Sequence, residues 1–251
     1  MDKDILKFIT HLSNESGKIV NSYFRTELNV ESKKDDSPVT IADKKAEEKL
    51  REIIMKEFPE HGIIGEEFGK YKEDAEYQWI LDPIDGTKSF ISGSVLFGTL
   101  ICLLKNNTPI YGAINLPMLN QFVIGDNEET LLNGVKVHVK NCPDISRAVV
   151  LTTDIKNIEK YRDISKFNNL IKKSSIFRTW GDCYGYYLVA SGYADVMIDP
   201  IMSIWDTAAV IPVIRGAGGL ITDFNGLDAL NSDSVIAGSP VVQKQVVELL
   251  K

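Results

Sequence analysis

The sequence predicts a layered α/β protein, and three observations carry that reading. Helical periodicity opens the chain, strand signals succeed one another from residue 78 to 126, and strands alternate with helices after about Lys140. Ile5, Phe8, Ile9, Leu12, Ser16, Ile19, Val20 and Tyr23 recur at helical spacing, so the first element is a helix with one buried face. Thr40-Ile41-Ala42-Asp43 opens a second helix and matches a capping box, with Ala46, Leu50, Ile53, Ile54 and Phe58 inward. Gly62–Gly65 reads as a short apolar strand ending in Glu66-Glu67, and Lys70 to Glu76 as a charged, mobile loop.

Strands are expected at Gln78–Leu81, Leu96–Leu104, Ile110–Leu116 and Gln121–Asp126. The alternating part then predicts strands at Ala148–Leu151, Ser175–Thr179 and Asp195–Ile198. Between and after them come helices at Ile155–Lys172, Cys183–Ser191 and Asp206–Ile214. Strands at Leu220–Asp223 and Val235–Ala237 and a helix at Val241–Leu250 close the chain. No repeat, low-complexity stretch or long linker interrupts it, so the expectation is one compact unit with halves at 1–140 and 141–251.

The net charge of −7 argues against a duplex nucleic acid partner. No apolar run approaches the roughly 20 residues that span a bilayer, so no membrane partner is expected. Cys102, Cys142 and Cys183 are isolated, without zinc spacing, and read as free buried thiols. The N-terminus does not resemble a signal peptide, and the expected location is the cytoplasm.

The richest segment is Trp79-Ile80-Leu81-Asp82-Pro83-Ile84-Asp85-Gly86-Thr87. An apolar strand runs into two carboxylates, with a carbonyl between them and a hydroxyl just beyond. Hard cations such as Mg²⁺ take oxygen ligands of this kind. Gly86 permits close approach to a ligand, and Thr87 starts a helix whose free N–H groups suit an anion. An acidic turn with a threonine cap is the plainer alternative. Glu66 and Asp206 are further acids at a strand end and a helix start, each ordinary when taken singly. Carboxylate-only ligand sets select Mg²⁺ or Mn²⁺ over zinc. Two such ions serve an in-line phosphoryl displacement, so metal-assisted hydrolysis of a phosphate ester is the natural chemistry.

Gly65-Glu66-Glu67, Asp82-Pro83-Ile84-Asp85-Gly86-Thr87 and Trp205-Asp206-Thr207-Ala208-Ala209, in this order and spacing, resemble the signature of the inositol monophosphatase family. The segment Lys33–Asp43 resembles its N-terminal motif, and the likeness covers nearly the whole chain. Lys88-Ser89-Phe90-Ile91-Ser92-Gly93 and Arg178–Tyr186 are similar to the histidinol-phosphate phosphatase branch. The resemblance implies an αβαβα sandwich of the inositol monophosphatase and fructose-1,6-bisphosphatase type. It also implies a Mg²⁺-dependent, Li⁺-sensitive phosphomonoesterase acting on a small phosphorylated metabolite, commonly as a homodimer. Two or three Mg²⁺ ions are expected, with Mn²⁺ as a substitute.

Carried onto this chain, the resemblance makes Glu66, Asp82, the Ile84 carbonyl, Asp85 and Asp206 metal ligands, with Glu67 at or near the site. Thr87, hydrogen-bonded to Asp43, would orient and deprotonate the attacking water together with Glu66. Backbone N–H groups of Gly86 and Thr87 would hold phosphate, with Lys88, Ser89, Arg178, Asp182 and Asp199 on the substrate. Asp199 stands where the family usually has Glu and could pair with a histidinol ammonium, with Asp182 adding a second negative contact. Inositol-1-phosphate, 3′-phosphonucleotides and sugar bisphosphates are the related substrates. Haloacid-dehalogenase phosphatases use Asp-x-Asp-Gly-Thr, one residue shorter than the pattern here, with the first Asp as nucleophile. A non-catalytic role in a larger assembly is the reading of a different class.

Overall fold

The computed structural model describes residues 1–27, 30–32 and 38–251. Lys33 to Ser37, the front of the N-terminal motif, lies outside the described residues. The chain begins with α1 (Lys3–Tyr23), β1 (Glu31–Ser32), β2 (Pro38–Val39) and α2 (Ile41–Glu57). Next come β3 (Gly62–Gly65), β4 (Gly69–Tyr71), β5 (Tyr77–Asp85), α3 (Thr87–Ile91) and β6 (Gly98–Lys105). β7 (Thr108–Leu116), β8 (Gln121–Gly125), β9 (Thr130–Leu132) and β10 (Val135–Val137) complete an eight-stranded sheet. Its order is β10-β9-β8-β7-β6-β5-β3-β4.

A short 3₁₀ turn precedes β11 (Val149–Leu151), α4 (Ile155–Tyr161), α5 (Ile164–Lys173) and β12 (Ile176–Arg178). α6 (Asp182–Ala190), β13 (Val196–Asp199), α7 (Ile204–Gly216), β14 (Leu220–Thr222), β15 (Val235–Gly238) and α8 (Pro240–Leu250) follow. The second sheet has five strands, ordered β12-β11-β13-β15-β14.

Strand alternation sorts these elements into five layers. Trp79 and Leu81 of β5 pack with Ile9 and Leu12 of α1 and Leu50 and Ile54 of α2. Ile80, between them, faces the other way, into a core with Tyr186 of α6 and Ala208 and Val210 of α7. Met197 and Ala237 of the five-stranded sheet close that middle core from the far side. Their neighbours Val196, Ile198 and Ile236 face outward onto Ile158, Phe167 and Val242 of α4, α5 and α8. The result is the αβαβα sandwich. The central strands β5 and β6 are buried on both faces, which explains why they read as continuous apolar runs rather than alternating ones. α7 comes close against the eight-stranded sheet because Gly112 and Gly125 carry no side chain. A Cβ at either would overlap the backbone of Ala209 or Pro212.

Several element expectations need correction. The helix expected over Ile155–Lys172 is two, because Arg162 and Asp163 leave helical geometry and Asp163 caps α5 by accepting from Ser165 and Lys166 N–H. The strand expected to stop at Leu81 continues to Asp85. Part of the stretch expected as a loop from Lys70 is strand β4, paired antiparallel with β3. The Thr40–Asp43 capping box is present as expected. No helix of the described residues is long and apolar enough to cross a membrane.

Candidate active site

The site begins with an irregularity in β5. Asp82 pairs with Leu100 and Asp85 with Gly98, so three steps along β5 oppose two along β6. In a regular strand, residues three apart point to opposite faces. The bulge absorbs one residue and brings both carboxylates to the same side. Pro83 occupies this bulge, where its missing N–H removes no ladder bond. Thr99 fixes the bend: its hydroxyl donates to the Pro83 carbonyl at 2.9 Å and lies 2.8 Å from the Ser16 hydroxyl on α1.

Gly86 follows with φ of 87°, in left-handed backbone that favours glycine, and caps α3. A Cβ there would stand 3.1 Å from both an Asp182 carboxylate oxygen and the Leu96 carbonyl. Thr87 donates its hydroxyl to the Ile84 carbonyl at 3.0 Å. That carbonyl keeps a second lone pair for another partner.

Asp206 arrives from the other half of the chain. The helix starts at Ile204, not at Asp206 as expected, and Asp206 is the third residue of a capping box with Ser203. One Asp206 oxygen accepts the Ser203 N–H at 2.8 Å, which fixes the side chain. One oxygen each of Asp82, Asp85 and Asp206 then lie within 4.8 Å of one another.

Such a cluster is unstable as a set of bare charges. At that separation two like charges repel by at least about 3.5 kcal/mol at an effective dielectric constant of about 20. Burial, followed by the charges of Glu66, Asp85 and Asp206, raises the Asp82 carboxyl well above the usual carboxylate range. Burial also raises Asp85, with Asp182 and Asp206 adding to it, although the Cys183 N–H of α6 donates to Asp85. Burial pushes Asp206 up to about 7 against the opposing Ser203 hydrogen bond, with Glu66 adding. Glu66 is thus close enough to act on Asp82, Asp206 and Asp43 alike. One buried oxygen of Asp82 has no hydrogen-bond partner among the described residues. An all-oxygen set, mutual repulsion and an unpartnered buried oxygen together fit a hard divalent cation.

Asp43 is buried beside this group, and burial raises its carboxyl. One of its oxygens accepts the Thr40 N–H at 2.8 Å and the Thr40 hydroxyl at 2.6 Å. The expected Thr87–Asp43 hydrogen bond is not the one formed. The helix cap engages Asp43, and Thr87 turns to Ile84.

A cavity of about 360 Å³ opens in front of Asp85 and Asp206. Gly86, Thr87, Lys88 and Ser89 line it together with Thr153, Asp154, Asp182, Tyr186 and Asp199, and Asp182 lies close against Gly86. Asp199, at the end of β13, accepts the Tyr186 hydroxyl at 2.8 Å and the Thr153 N–H at 3.2 Å. Burial pushes its carboxyl up to about 6 despite these bonds. Asp182 has φ of 50°, and its N–H donates to the Thr153 hydroxyl at 2.9 Å. Burial and the charges of Asp199 and Asp206 push it up to about 7, while Lys88 pulls the other way.

Arg178 is the expected substrate residue that the fold does not bring to the cavity. It ends the edge strand β12, donates to the Phe177 carbonyl at 2.7 Å and lies over the Trp180 ring. The next residue, Thr179, lines the cavity instead. Sequence reasoning passed over Thr153 and the Tyr186 hydroxyl, which hold Asp199 and Asp182. It also passed over Glu47, whose visible signal was a charge on the buried face of α2, one turn after Asp43.

Fold and geometry define a phosphoester hydrolase of the metal-carboxylate class: a hard-cation cluster at a strand end beside a glycine-started helix. The chain belongs to the inositol monophosphatase family, whose model matches residues 1–251. Members of this family are Mg²⁺-dependent phosphatases. The chain is 41% identical over 256 residues to the bifunctional phosphatase IMPL2, chloroplastic, of Arabidopsis thaliana, covering 96% of this chain and 73% of that protein. It is 39% identical over 227 residues to the histidinol-phosphatase of Chlorobaculum parvum, covering 90% and 88% respectively. An inositol monophosphatase structure from Zymomonas mobilis superposes with a TM-score of 0.88 at 34% identity, over 99% of this chain and 98% of that one.

Proposed function

We propose that this phosphatase hydrolyses L-histidinol phosphate to L-histidinol and inorganic phosphate. The observation that carries the substrate is the pair of acids that line the cavity together with the phosphate-binding residues. Asp199 and Asp182 stand there, held by Tyr186 and Thr153, and a primary ammonium is the natural complement to them. The relative from Chlorobaculum parvum, named a histidinol-phosphatase, supports the same choice.

When bound by Glu66, Asp82, Asp85, Asp206 and the Ile84 carbonyl, two or three Mg²⁺ ions supply charge neutralisation and a lowered water pKa, and Mn²⁺ would substitute. The chain's own residues do the rest. The N–H groups at the start of α3, from Gly86 and Thr87, point the phosphate, with Lys88 and Ser89 beside it. Glu66 accepts the proton of the attacking water, and the Thr87 hydroxyl orients that water. The water oxygen forms the new P–O bond as the ester P–O bond breaks, and the departing alkoxide takes a proton from solvent. Asp43 keeps the Thr40 end of α2 fixed beside Glu66.

A second reading, hydrolysis of inositol-1-phosphate, is favoured by the likeness to the Zymomonas mobilis structure. The deciding experiment is kcat/KM with Mg²⁺ on histidinol phosphate, inositol-1-phosphate, fructose-1,6-bisphosphate and 3′-phosphoadenosine-5′-phosphate. Histidinol phosphate is expected to lead. A clear lead for any of the others would overturn the substrate while leaving the chemistry intact.

A further inference from the structure

Glu47 is a fully buried carboxylate on α2, outside the cluster just described. Its contacts all run toward one turn. One oxygen accepts the Glu67 N–H at 2.7 Å, and the other accepts the Phe68 N–H at 3.2 Å. That second oxygen also takes Arg51 Nε at 2.7 Å, while another Arg51 nitrogen donates to the Gly69 carbonyl. The two side chains therefore clamp residues 67 to 69 onto α2. A Cβ on Gly65 would overlap the Glu47 carboxylate, so the strand approaches the helix as closely as glycine allows.

Glu66 sits inside this clamp. Its own N–H donates to the Leu81 carbonyl at 3.1 Å, one residue before Asp82. The next two N–H groups go to Glu47. The Glu66 backbone is thus fixed from both sides, once to the metal strand and once to α2. A buried ion pair is a poor device for stability alone, since well-packed apolar residues of similar volume often do as well or better. Its value here is directional, because only a carboxylate accepts two adjacent turn N–H groups and a guanidinium at once.

We propose that Glu47, oriented by Arg51, is a positioning residue that holds the Glu66 turn in register with Asp82 and so sets the affinity of the site for Mg²⁺. The inference rests on the reading of Glu66 as a metal ligand. Outer residues that orient metal ligands typically matter by about 10–100-fold in affinity.

The test is calorimetric titration of Mg²⁺ into the wild-type protein, Glu47→Gln, Arg51→Lys and Leu50→Ala, with thermal melts of each. Leu50 is buried on the same helix in an apolar core with Ile9, Leu12 and Ile54, so Leu50→Ala reports a plain loss of packing. The expected result is Mg²⁺ affinity about tenfold or more weaker in Glu47→Gln, severalfold weaker in Arg51→Lys and unchanged in Leu50→Ala. In activity, Mg²⁺ half-saturation should rise while kcat at saturating Mg²⁺ changes less. Wild-type affinity in Glu47→Gln, or equal weakening in Leu50→Ala, would overturn the proposal. Should Glu47→Gln fail to fold, Arg51→Lys decides alone, and wild-type affinity there would overturn it. Wild-type protein that takes up no Mg²⁺ would instead sink the metal reading itself.

Discussion

The two groups of acids at the cavity are held by different physics. At the metal end, one oxygen each of Asp82, Asp85 and Asp206 lie within 4.8 Å of one another, and one Asp82 oxygen has no hydrogen-bond partner among the described residues. Elsewhere in the cavity, Asp199 is satisfied by Tyr186 and Thr153, and Asp182, close against Gly86, is fixed through its own backbone N–H. The first group is a close set of carboxylates that suits a hard cation. In the second, both Asp199 oxygens already accept hydrogen bonds. We infer reaction type from the carboxylate cluster and substrate choice from Asp199 and Asp182, so substitutions in the two groups should fail differently.

The largest effect is expected at the metal end. Asp85→Asn removes a charge that the transition state needs neutralised through the ion, and kcat should fall by about 10³ or more on every substrate. Turnover within tenfold of wild type would contradict the placement of the cluster. Thr87→Ala removes the hydroxyl beside the Ile84 carbonyl, and a fall in kcat of about 10² is expected with KM little changed. An effect confined to KM would make Thr87 a binding group instead.

Substitution in the second group should discriminate between substrates. Asp199→Asn keeps the volume and an acceptor for Tyr186 while removing the charge. It should lower kcat/KM on histidinol phosphate by about tenfold, equivalent to about 1.4 kcal/mol, and leave inositol-1-phosphate nearly untouched. Equal losses on both would mean that Asp199 supports the cavity rather than reading an ammonium.

The last contrast is read in stability rather than turnover, as a pH dependence. Asp182 and Asp206 are raised to about 7 and Asp199 to about 6, from ordinary values of 3.8. Their folded values exceed their unfolded ones, so the folded, metal-free chain binds more protons between about pH 4 and 7. Its stability should therefore fall as pH rises through that window. Mg²⁺ needs the deprotonated carboxylates, so its stabilisation should run the opposite way. At pH 8 and about 100 times its Kd, Mg²⁺ should raise Tm by about 5–10 °C, and by much less at pH 5.5. A Mg²⁺ effect that is flat with pH would separate the raised carboxyls from the metal.

The same contrast decides what could be read from the chain before the fold was known. Asp82–Thr87 was legible because ligand chemistry restricts residue types and Gly-Thr marks a turn. The helical faces of α1 and α2 and the Thr40–Asp43 cap were legible because period and capping are local. The bulge was not, because Pro83 reads as a strand breaker, although β5 runs through it to Asp85. The split between α4 and α5 was signalled only by Asp163, an ordinary cap residue inside an otherwise helical pattern. Arg178 was misplaced because an edge strand's face is set by tertiary pairing with β11. Glu47 needed the long-range closure of α2 onto the turn 66–68, a contact that local sequence does not encode.

The most direct test of the metal end is a crystal soaked in Mn²⁺ and measured for anomalous scattering. The expected result is at least one strong peak bridging Asp82, Asp85 and Asp206, with Glu66 and the Ile84 carbonyl turned toward the ions. A Mn²⁺-saturated crystal with no peak at those carboxylates, or with its peaks elsewhere on the molecule, would contradict the assignment.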